Sequence, residues 1–591
     1  MKRLTCCLAW MFLLIGAVAA QDKEVKLKIV QTSDIHGNFY PHDFILQREA
    51  AGSLARVHAF VQKARETYKD NLILLDNGDI LQGQPTAYYY NYIDTVSLHV
   101  TADMLNFMGY DAANMGNHDV ETGRAVFDRW AGDCRAPVLG ANIIDTATGE
   151  PHFRPYKVLE RDGVKIAVLG MITPAIPVWL SENLWRGLRF DDMEDTARKW
   201  MKIIREKERP DIVIGMFHAG QDALLMGGKY RENASLDVAR NVPGFDIVLM
   251  GHDHARECKK VQNVAGDSVL VIDPASNGIV VSDPASNGIV VSDIDITVTL
   301  RNGKVTDKQI DGVLTETAPY GISGEFMKRF SPQYATIQDF VSKRIGRFTK
   351  TVSTRPAYFG SSAFIDLIHT LQLDISGAEI SLAAPLSYDT QIKEGDIYVY
   401  DMFNLYKYEN MLYTMKLSGK EVHDALEMSY DLWTNRMTSP DDHILLLRDQ
   451  PREGAADRAA FKNFSFNFDS AAGIIYTVDV TKPCGSKVTI LSMADGTPFH
   501  MDKMYTVALN SYRGNGGGEL LTEGAGISQD ELKERIISST DKDLRYYLMQ
   551  YIEQKKVIEP RALGQWKFIP EEWAVPASKR DYEFLFGTNR N

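Results

Sequence analysis

Five short polar motifs constrain this chain more than any other feature: Ser33-Asp34-Ile35-His36-Gly37-Asn38, Asp76-Asn77-Gly78-Asp79, Gly116-Asn117-His118-Asp119, Phe217-His218-Ala219-Gly220 and Gly251-His252-Asp253-His254. Four of the five closely follow an apolar run of strand length: Leu27 to Val30, Leu72 to Leu75, Ile212 to Met216 and Ile247 to Met250. Amphipathic stretches such as Leu54 to Tyr68 and Met193 to Lys207 alternate with such runs, which is the pattern of an α/β fold. In α/β sheets the ligand crevice lies beyond the carboxyl ends of the strands, so the motifs are expected to converge there.

Convergence is what a metal site needs. An Asp/His/Asn set without thiolate suits borderline or hard divalent ions such as Mn, Zn, Fe or Co, and the donors outnumber what one ion can use. Two ions sharing one carboxylate would use them all, an arrangement that serves in-line displacement at phosphorus. A single Asp-x-His in a loop is more often a cap or turn; five motifs in order, most of them at strand ends, point to metal.

The order DxH, GD, GNH[ED], HxG, GHxH resembles the calcineurin-like metallophosphatase superfamily over about residues 25 to 300. That resemblance implies a four-layer α/β/β/α sandwich holding two divalent ions. Asp34, His36 and His254 would hold one ion, Asn117, His218 and His252 the other, with Asp79 bridging. His118 would face the substrate as a catalytic group. Its orienting carboxylate is Glu121, three residues on as in many relatives, or the adjacent Asp119; both stay open as catalytic candidates, and Asp76 is expected to be structural.

At 591 residues the chain exceeds the roughly 150 residues expected per domain, and two large domains are the default. Residues 1–20 have the form of a cleavable signal peptide: Lys2 and Arg3, an apolar stretch from Leu8 to Val18, then Val18 and Ala20 before Gln21. A periplasmic monomer without stable membrane insertion is the expectation. Residues 21–315 form the expected metal-binding domain, 316–347 a linker with a helix between Gly324 and Lys343, and 348–591 a second α/β domain with a C-terminal extension. In that second domain Ile397 to Tyr400, Leu412 to Leu417, Ile474 to Val480 and Met504 to Leu509 have strand character, and Gly419 to Leu432 helical character. The formal charge of −13 is the wrong sign for a nucleic acid polymer but leaves a small anionic substrate open.

Two aromatic clusters mark the carboxyl half: Leu405-Tyr406-Lys407-Tyr408-Glu409-Asn410, and Asn510-Ser511-Tyr512-Arg513-Gly514 running into Gly516-Gly517-Gly518. Two tyrosines in one cleft can stack a planar base, and glycines beside them permit close backbone approach. The whole chain resembles the exported 5′-nucleotidase superfamily, whose second domain binds the nucleoside. Members acting on 5′-nucleotides typically carry Asn-x-Gly-x-x-Arg; here the place is taken by Ser381-Leu382-Ala383-Ala384-Pro385-Leu386, and no arginine occurs between Arg355 and Arg436. The chain is more similar to the 2′,3′-cyclic-nucleotide 2′-phosphodiesterase/3′-nucleotidase branch, also through Phe466-Asn467-Phe468-Asp469 and Gly473-Ile474-Ile475-Tyr476. By that resemblance Tyr408 and Tyr512 sandwich the base, Asn410 and Asn510 make polar contacts, and hydroxide activated by the metals attacks phosphorus. The alternatives are a 5′-nucleotidase or nucleotide-sugar hydrolase on the same scaffold, and a non-catalytic nucleotide-binding surface protein.

Asp273 to Ser282 reads DPASNGIVVS, and Asp283 to Ser292 repeats it without change. Solenoid repeats are longer, more numerous and divergent, so a recent tandem duplication in the coding DNA, or a sequencing error, is expected rather than a functional repeat. Ten residues preserve the alternation of a strand. A variant lacking one copy is expected to fold, keep its metals and remain active; a folded variant that loses its metals would contradict this.

Overall fold

The computed structural model describes residues 22–221, 223, 225–226, 229–274, 287–448 and 460–587. The signal segment and residues 275–286 of the duplicated stretch lie outside the described residues.

The amino-terminal half holds two six-stranded sheets. In the first the order is Lys304–Glu316, Val290–Arg301, Lys23–Thr32, Leu72–Asp76, Ala112–Asn114, Val138–Leu139. In the second it is Arg256–Gln262, Ser268–Pro274, Ile247–Leu249, Ile212–His218, Val164–Ile172, Tyr156–Arg161. Alternation along the strands explains their packing. Leu27, Ile29, Ile73 and Leu75 face Ile166, Val168, Ile212, Ile214 and Leu249 in an apolar layer between the sheets. Val30 and Leu74 point the other way, toward Val57, Phe60 and Val61 of the helix Leu54–Tyr68. On the far side Leu169, Val213 and Val248 meet Ala197, Met201 and Ile204 of the helix Met193–Lys207. The result is the expected four layers, helix, sheet, sheet, helix.

Local chemistry sets the helix starts. Ser53 Oγ accepts from Arg56 N, and Asp192 accepts from the amides of Glu194 and Asp195. The central strands are parallel: Lys23–Thr32 with Leu72–Asp76, and Ile212–His218 with both Val164–Ile172 and Ile247–Leu249. Parallel register brings their carboxyl ends, and the motifs that follow, to one end of the sandwich. The third motif also follows a strand, Ala112–Asn114, whose three residues are too short and too poor in β-branched side chains to stand out in sequence.

The duplicated stretch begins in one sheet and ends in the other. Asp273 and Pro274 end a strand of the second sheet, and Val290 to Ser292 begin one of the first. Asn287 of the second copy donates its backbone N–H to Asp34 O (3.0 Å), and its side chain accepts from Asn38 (2.8 Å). Because the copies are identical, deleting either yields a chain in which an Asn-Gly pair can fill that position.

Between the halves, one expected helix is two, Gly324–Arg329 and Ser331–Val341, broken at Phe330 with Pro332 opening the second. Phe326 and Phe330 pack with Tyr40 and Phe44 of the first half. The carboxyl half is built on a five-stranded sheet ordered Ser470–Ala472, Ile380–Ala383, Met504–Asn510, Met411–Ser418, Ile536–Asp543. Strand character at Ile397 to Tyr400 is only half correct. The strand is Gly395–Tyr398, and a helix runs from Val399 to Leu405 because Asp401 accepts the Tyr398 amide (2.8 Å) as in a capping box.

The halves meet through polar contacts that fix the Tyr408 loop. Tyr92 OH donates to Glu409 Oε2 (3.1 Å) and Tyr88 OH to Asp543 Oδ2 (3.3 Å). Arg545 donates to the carbonyls of Tyr406 (3.1 Å) and Lys407 (2.6 Å), with its guanidinium 4.1 Å from the Phe403 ring centroid. Behind the sheet, Trp433 stacks on Tyr430 (4.9 Å) and Phe468 (5.5 Å), and its Nε1–H donates to Tyr358 O (3.2 Å). Trp433→Ala is expected to lower stability by about 3–5 kcal/mol in equilibrium denaturation, since it removes both the ring volume and a buried hydrogen bond.

Candidate metal centre and adjoining cavity

All seven expected donors lie together at the carboxyl ends of the parallel strands. Asp34 and Asp79 are fully buried, as is His218. Asp34 Oδ1 lies 3.2 Å from His254 Nε2, and Asp79 Oδ2 lies 3.1 Å from His218 Nε2 and 3.8 Å from His36 Nε2. Asn117 Oδ1 is 3.1 Å from His218 Nε2 and 2.7 Å from His252 Nδ1. Donor atoms of Asp34, His36 and His254 fall within 4.8 Å of one another, as do those of Asp34, Asp79 and His218.

Tight loops make this approach feasible. Asp34, His36, Asp79, His252 and His254 all have left-handed backbones, with φ between 47° and 78°. Asp and His tolerate that region better than branched residues, at a cost of order 1–3 kcal/mol each that the surroundings must offset. Two motif glycines are required for space: a Cβ on Gly116 would sit 2.2 Å from Asp79 Oδ1, and one on Gly251 would sit 2.2 Å from Ser33 Oγ.

The electrostatics are those of a cation trap. Burial alone would raise the Asp79 carboxyl, yet the neighbouring imidazoles of His218, His118 and His36 hold it well below the usual range. Burial alone would lower His218, yet Asp79 and Asp34 push it up to about 9. Protons and metal ions compete for the same atoms, so a cluster that raises His218 in this way also suits divalent cations in the proton's place. Two carboxylates, four imidazoles and one amide oxygen without thiolate fit such ions by donor type. Asp76 is separate, accepting from Thr32 Oγ1 (2.8 Å), and burial pushes it to about 8.

His118 is oriented by Glu121, whose Oε2 lies 2.5 Å from Nδ1, so Nε2 is left for the cavity. Burial lowers its affinity for a proton, but Asp79 and Glu121 outweigh that and raise it to about 10. Asp119 does not fit the alternative. It is fully buried, and its oxygens accept the backbone N–H groups of Asp79 (2.9 Å), Ile80 (2.9 Å), Leu81 (2.8 Å) and Gly116 (2.8 Å). It shapes the loop carrying Asp79 and has no remaining reach toward His118. Residues 118 and 121 share a helix face, whereas 119 is rotated away.

From Asn117, His118, Glu121 and His252 a cavity of about 570 Å³ extends to Tyr408, Asn410, Asn510 and Tyr512. All four expected base-contact residues therefore line one space with two of the donors, Asn117 and His252. Trp179, Glu232, Phe464, Phe466 and Glu519 also line it and were not singled out as site residues in the sequence. Gly517 lies beneath the Tyr512 ring, where a Cβ would meet it at 2.5 Å. Arg513, buried, pairs with both oxygens of Asp469 (2.9 Å each) and donates to Phe466 O (3.2 Å) and Gly517 O, pinning both sides of the slot. Asn510 Oδ1 accepts the Arg513 amide (2.8 Å).

Asp119→Ala would leave four buried N–H groups without their acceptor. It is expected to lower stability by roughly 3 kcal/mol or more, at about 1–3 kcal/mol for each group left unpaired. Glu121→Gln keeps an acceptor for His118 and leaves no backbone N–H unpaired, so it is expected to cost less than Asp119→Ala. Denaturant titration of the two variants checks the contrast.

The chain matches the calcineurin-like phosphoesterase family over residues 27–256 and the 5′-nucleotidase C-terminal domain over residues 344–523. It is 27% identical over 94% of its length to the trifunctional nucleotide phosphoesterase protein YfkN of Bacillus subtilis, of which it spans 40%. It is 26% identical to the 2′,3′-cyclic-nucleotide 2′-phosphodiesterase/3′-nucleotidase of Salmonella typhimurium, over 94% of this chain and 90% of that one. Among solved structures, a 5′-nucleotidase precursor from Thermus thermophilus superposes with a TM-score of 0.60 at 21% identity, covering 92% of this chain and 100% of that one. A Staphylococcus aureus protein solved with alpha-ketoglutarate gives 0.73 at 19% identity, covering 92% and 99%. Those two likenesses establish the two-domain α/β fold. With its metal-donor set assembled at the strand ends, the chain belongs to the metallophosphoesterase hydrolases in which a calcineurin-like domain is followed by a 5′-nucleotidase C-terminal domain.

Proposed function

We propose that the protein is an exported, metal-dependent nucleotide phosphohydrolase that opens 2′,3′-cyclic nucleotides to the 3′-phosphate and then removes that phosphate. The observation that carries this reading is the cavity that joins the donors Asn117 and His252, with His118, to Tyr408 and Tyr512 of the carboxyl half, beside a second cavity that joins His36 and His254 to Tyr408. Similarity over nearly the whole chain to proteins named 2′,3′-cyclic-nucleotide 2′-phosphodiesterase/3′-nucleotidase supports it. Arg355, the last arginine before Arg436, is paired with both oxygens of Asp389 (2.6 and 2.8 Å), which supports a phosphate grip without the arginine of the 5′ branch.

In this reading residues 21–315 carry two divalent ions, residues 316–347 link, and residues 348–591 present the nucleoside. Asp34, His36 and His254 would hold one ion, Asn117, His218 and His252 the other, with Asp79 shared; Mn, Zn, Co and Fe all suit these donors. When bound, such ions polarise phosphoryl oxygens and lower the pKa of water. Tyr408 and Tyr512 hold the base, with Asn410 and Asn510 at its edge. His118, held by Glu121, directs Nε2 at the phosphate, donating to the oxygen on which charge develops or to the leaving oxygen. The signal segment directs a monomeric enzyme to the periplasm. Among the described residues no helix is long and apolar enough to cross a membrane.

Phosphate release from 2′,3′-cyclic AMP, 3′-AMP and 5′-AMP, with and without chelator, tests the reading. Turnover of the first two and its loss in chelator are expected; a strong preference for 5′-AMP would overturn it. His118→Ala should lower kcat by about 10²–10³-fold while the metal content stays unchanged. Wild-type turnover in that variant with its metals bound would remove His118 from the mechanism.

A further inference from the structure

Three of the donor histidines, His36, His218 and His252, are fixed from behind, and one of the groups behind them reaches further than the rest. His36 presents Nδ1 to Gln82 Oε1 (3.0 Å), and His218 donates Nδ1–H to Asn77 O (2.7 Å), leaving Nε2 inward in both. His252 is turned around. Its Nδ1 faces Asn117 Oδ1, and its Nε2 lies 2.9 Å from Glu232 Oε1. A carboxylate only accepts, so Nε2 carries the proton and Nδ1 keeps its lone pair toward the donor cluster. Trp179 covers the ring at 5.6 Å between centroids.

Glu232 also belongs to the cavity that runs from Asn117 and His252 to Tyr408 and Tyr512. Its side chain is 16% exposed, and among the described residues no hydrogen bond is made to its second oxygen, Oε2. A nucleotide with its phosphate at the donor cluster and its base against the tyrosines has its sugar between them, on the wall that Glu232 shares. In a 3′-nucleotide the hydroxyl next to the reacting phosphate is the 2′-OH, a hydrogen-bond donor.

We propose that Glu232 acts on both faces of one carboxylate: Oε1 positions His252 for the metal, and Oε2 accepts the ribose 2′-hydroxyl, selecting ribonucleotides over 2′-deoxyribonucleotides. The sugar role rests on the nucleotide reading above; the positioning role does not. A site built to bond a hydroxyl discriminates strongly against the analogue lacking it, because its own polar group is then left unpaired.

The test uses Glu232→Gln and Glu232→Ala in the full-length protein. Metal bound per chain is measured by elemental analysis at graded free Mn²⁺, and kcat/KM is measured on 3′-AMP and 2′-deoxyadenosine 3′-monophosphate. Glutamine keeps an acceptor for His252 but replaces the second oxygen with a donor. Wild type and Glu232→Gln should bind two ions, while in Glu232→Ala one of the two ions should bind about 10–100-fold more weakly. Wild type should favour the ribonucleotide by at least about tenfold, and both variants should lose that preference. Undiminished metal affinity in Glu232→Ala overturns the positioning role. A wild type indifferent to the 2′-hydroxyl, or a Glu232→Gln variant that keeps the preference, overturns the sugar role. Wild-type protein that turns over neither nucleotide overturns the nucleotide reading and the sugar role with it, and the metal count still decides the positioning role.

Discussion

The structure depends on keeping two carboxylates, Asp34 and Asp79, ionised where no water reaches them. A buried carboxylate without compensation costs several kcal/mol, and two within reach of the same imidazoles repel each other as well. Only cations at the centre make the arrangement favourable. His218, raised to about 9 by Asp79 and Asp34, expresses that demand. Positive charge at the centre, of the kind divalent ions supply to such donors, is therefore what its most buried polar groups call for.

That requirement explains the local geometry. Loops from both sheets must bring oxygen and nitrogen atoms within a few ångströms, and they do so through left-handed backbones at Asp34, His36, Asp79, His252 and His254. The strain is balanced by bonds beneath the loops. Asp119 gathers four backbone N–H groups under Asp79, and Asn287 holds the backbone of Asp34. The carboxyl half is anchored by the same logic, since Glu409, beside Tyr408, is tied to Tyr92 of the first half and lies 3.5 Å from Arg545. The Tyr408 loop thus takes its position from the half that carries the donors.

Much of this is legible in the residues. The donors are identifiable because their motifs follow apolar runs, and parallel strands leave only one place for those motifs to meet. The helices Leu54–Tyr68 and Met193–Lys207 have the bounds that their periodicity indicates. Short-range competition hides the rest. Ala112–Asn114 is held as a strand by its neighbours rather than by propensity, and Asp401 turns a β-like Val-Tyr run into a helix start. Glu121 could have been preferred over Asp119 from helical spacing alone, because the helix Asn117–Glu121 puts residues 118 and 121 on one face. Glu232 carries no local signal at all, since its partner His252 is distant in sequence and the two meet only when the second sheet forms.

The central claim is that one cavity carries the metals at one end and the nucleoside at the other. A crystal structure of the protein with Mn²⁺ and a slowly hydrolysed 3′-nucleotide analogue, with anomalous scattering to locate the ions, tests it most directly. The account predicts two anomalous peaks flanking Asp79, one beside Asp34, His36 and His254 and one beside Asn117, His218 and His252, with the base between Tyr408 and Tyr512. A single ion, ions away from Asp79, or a base bound outside that slot would contradict it.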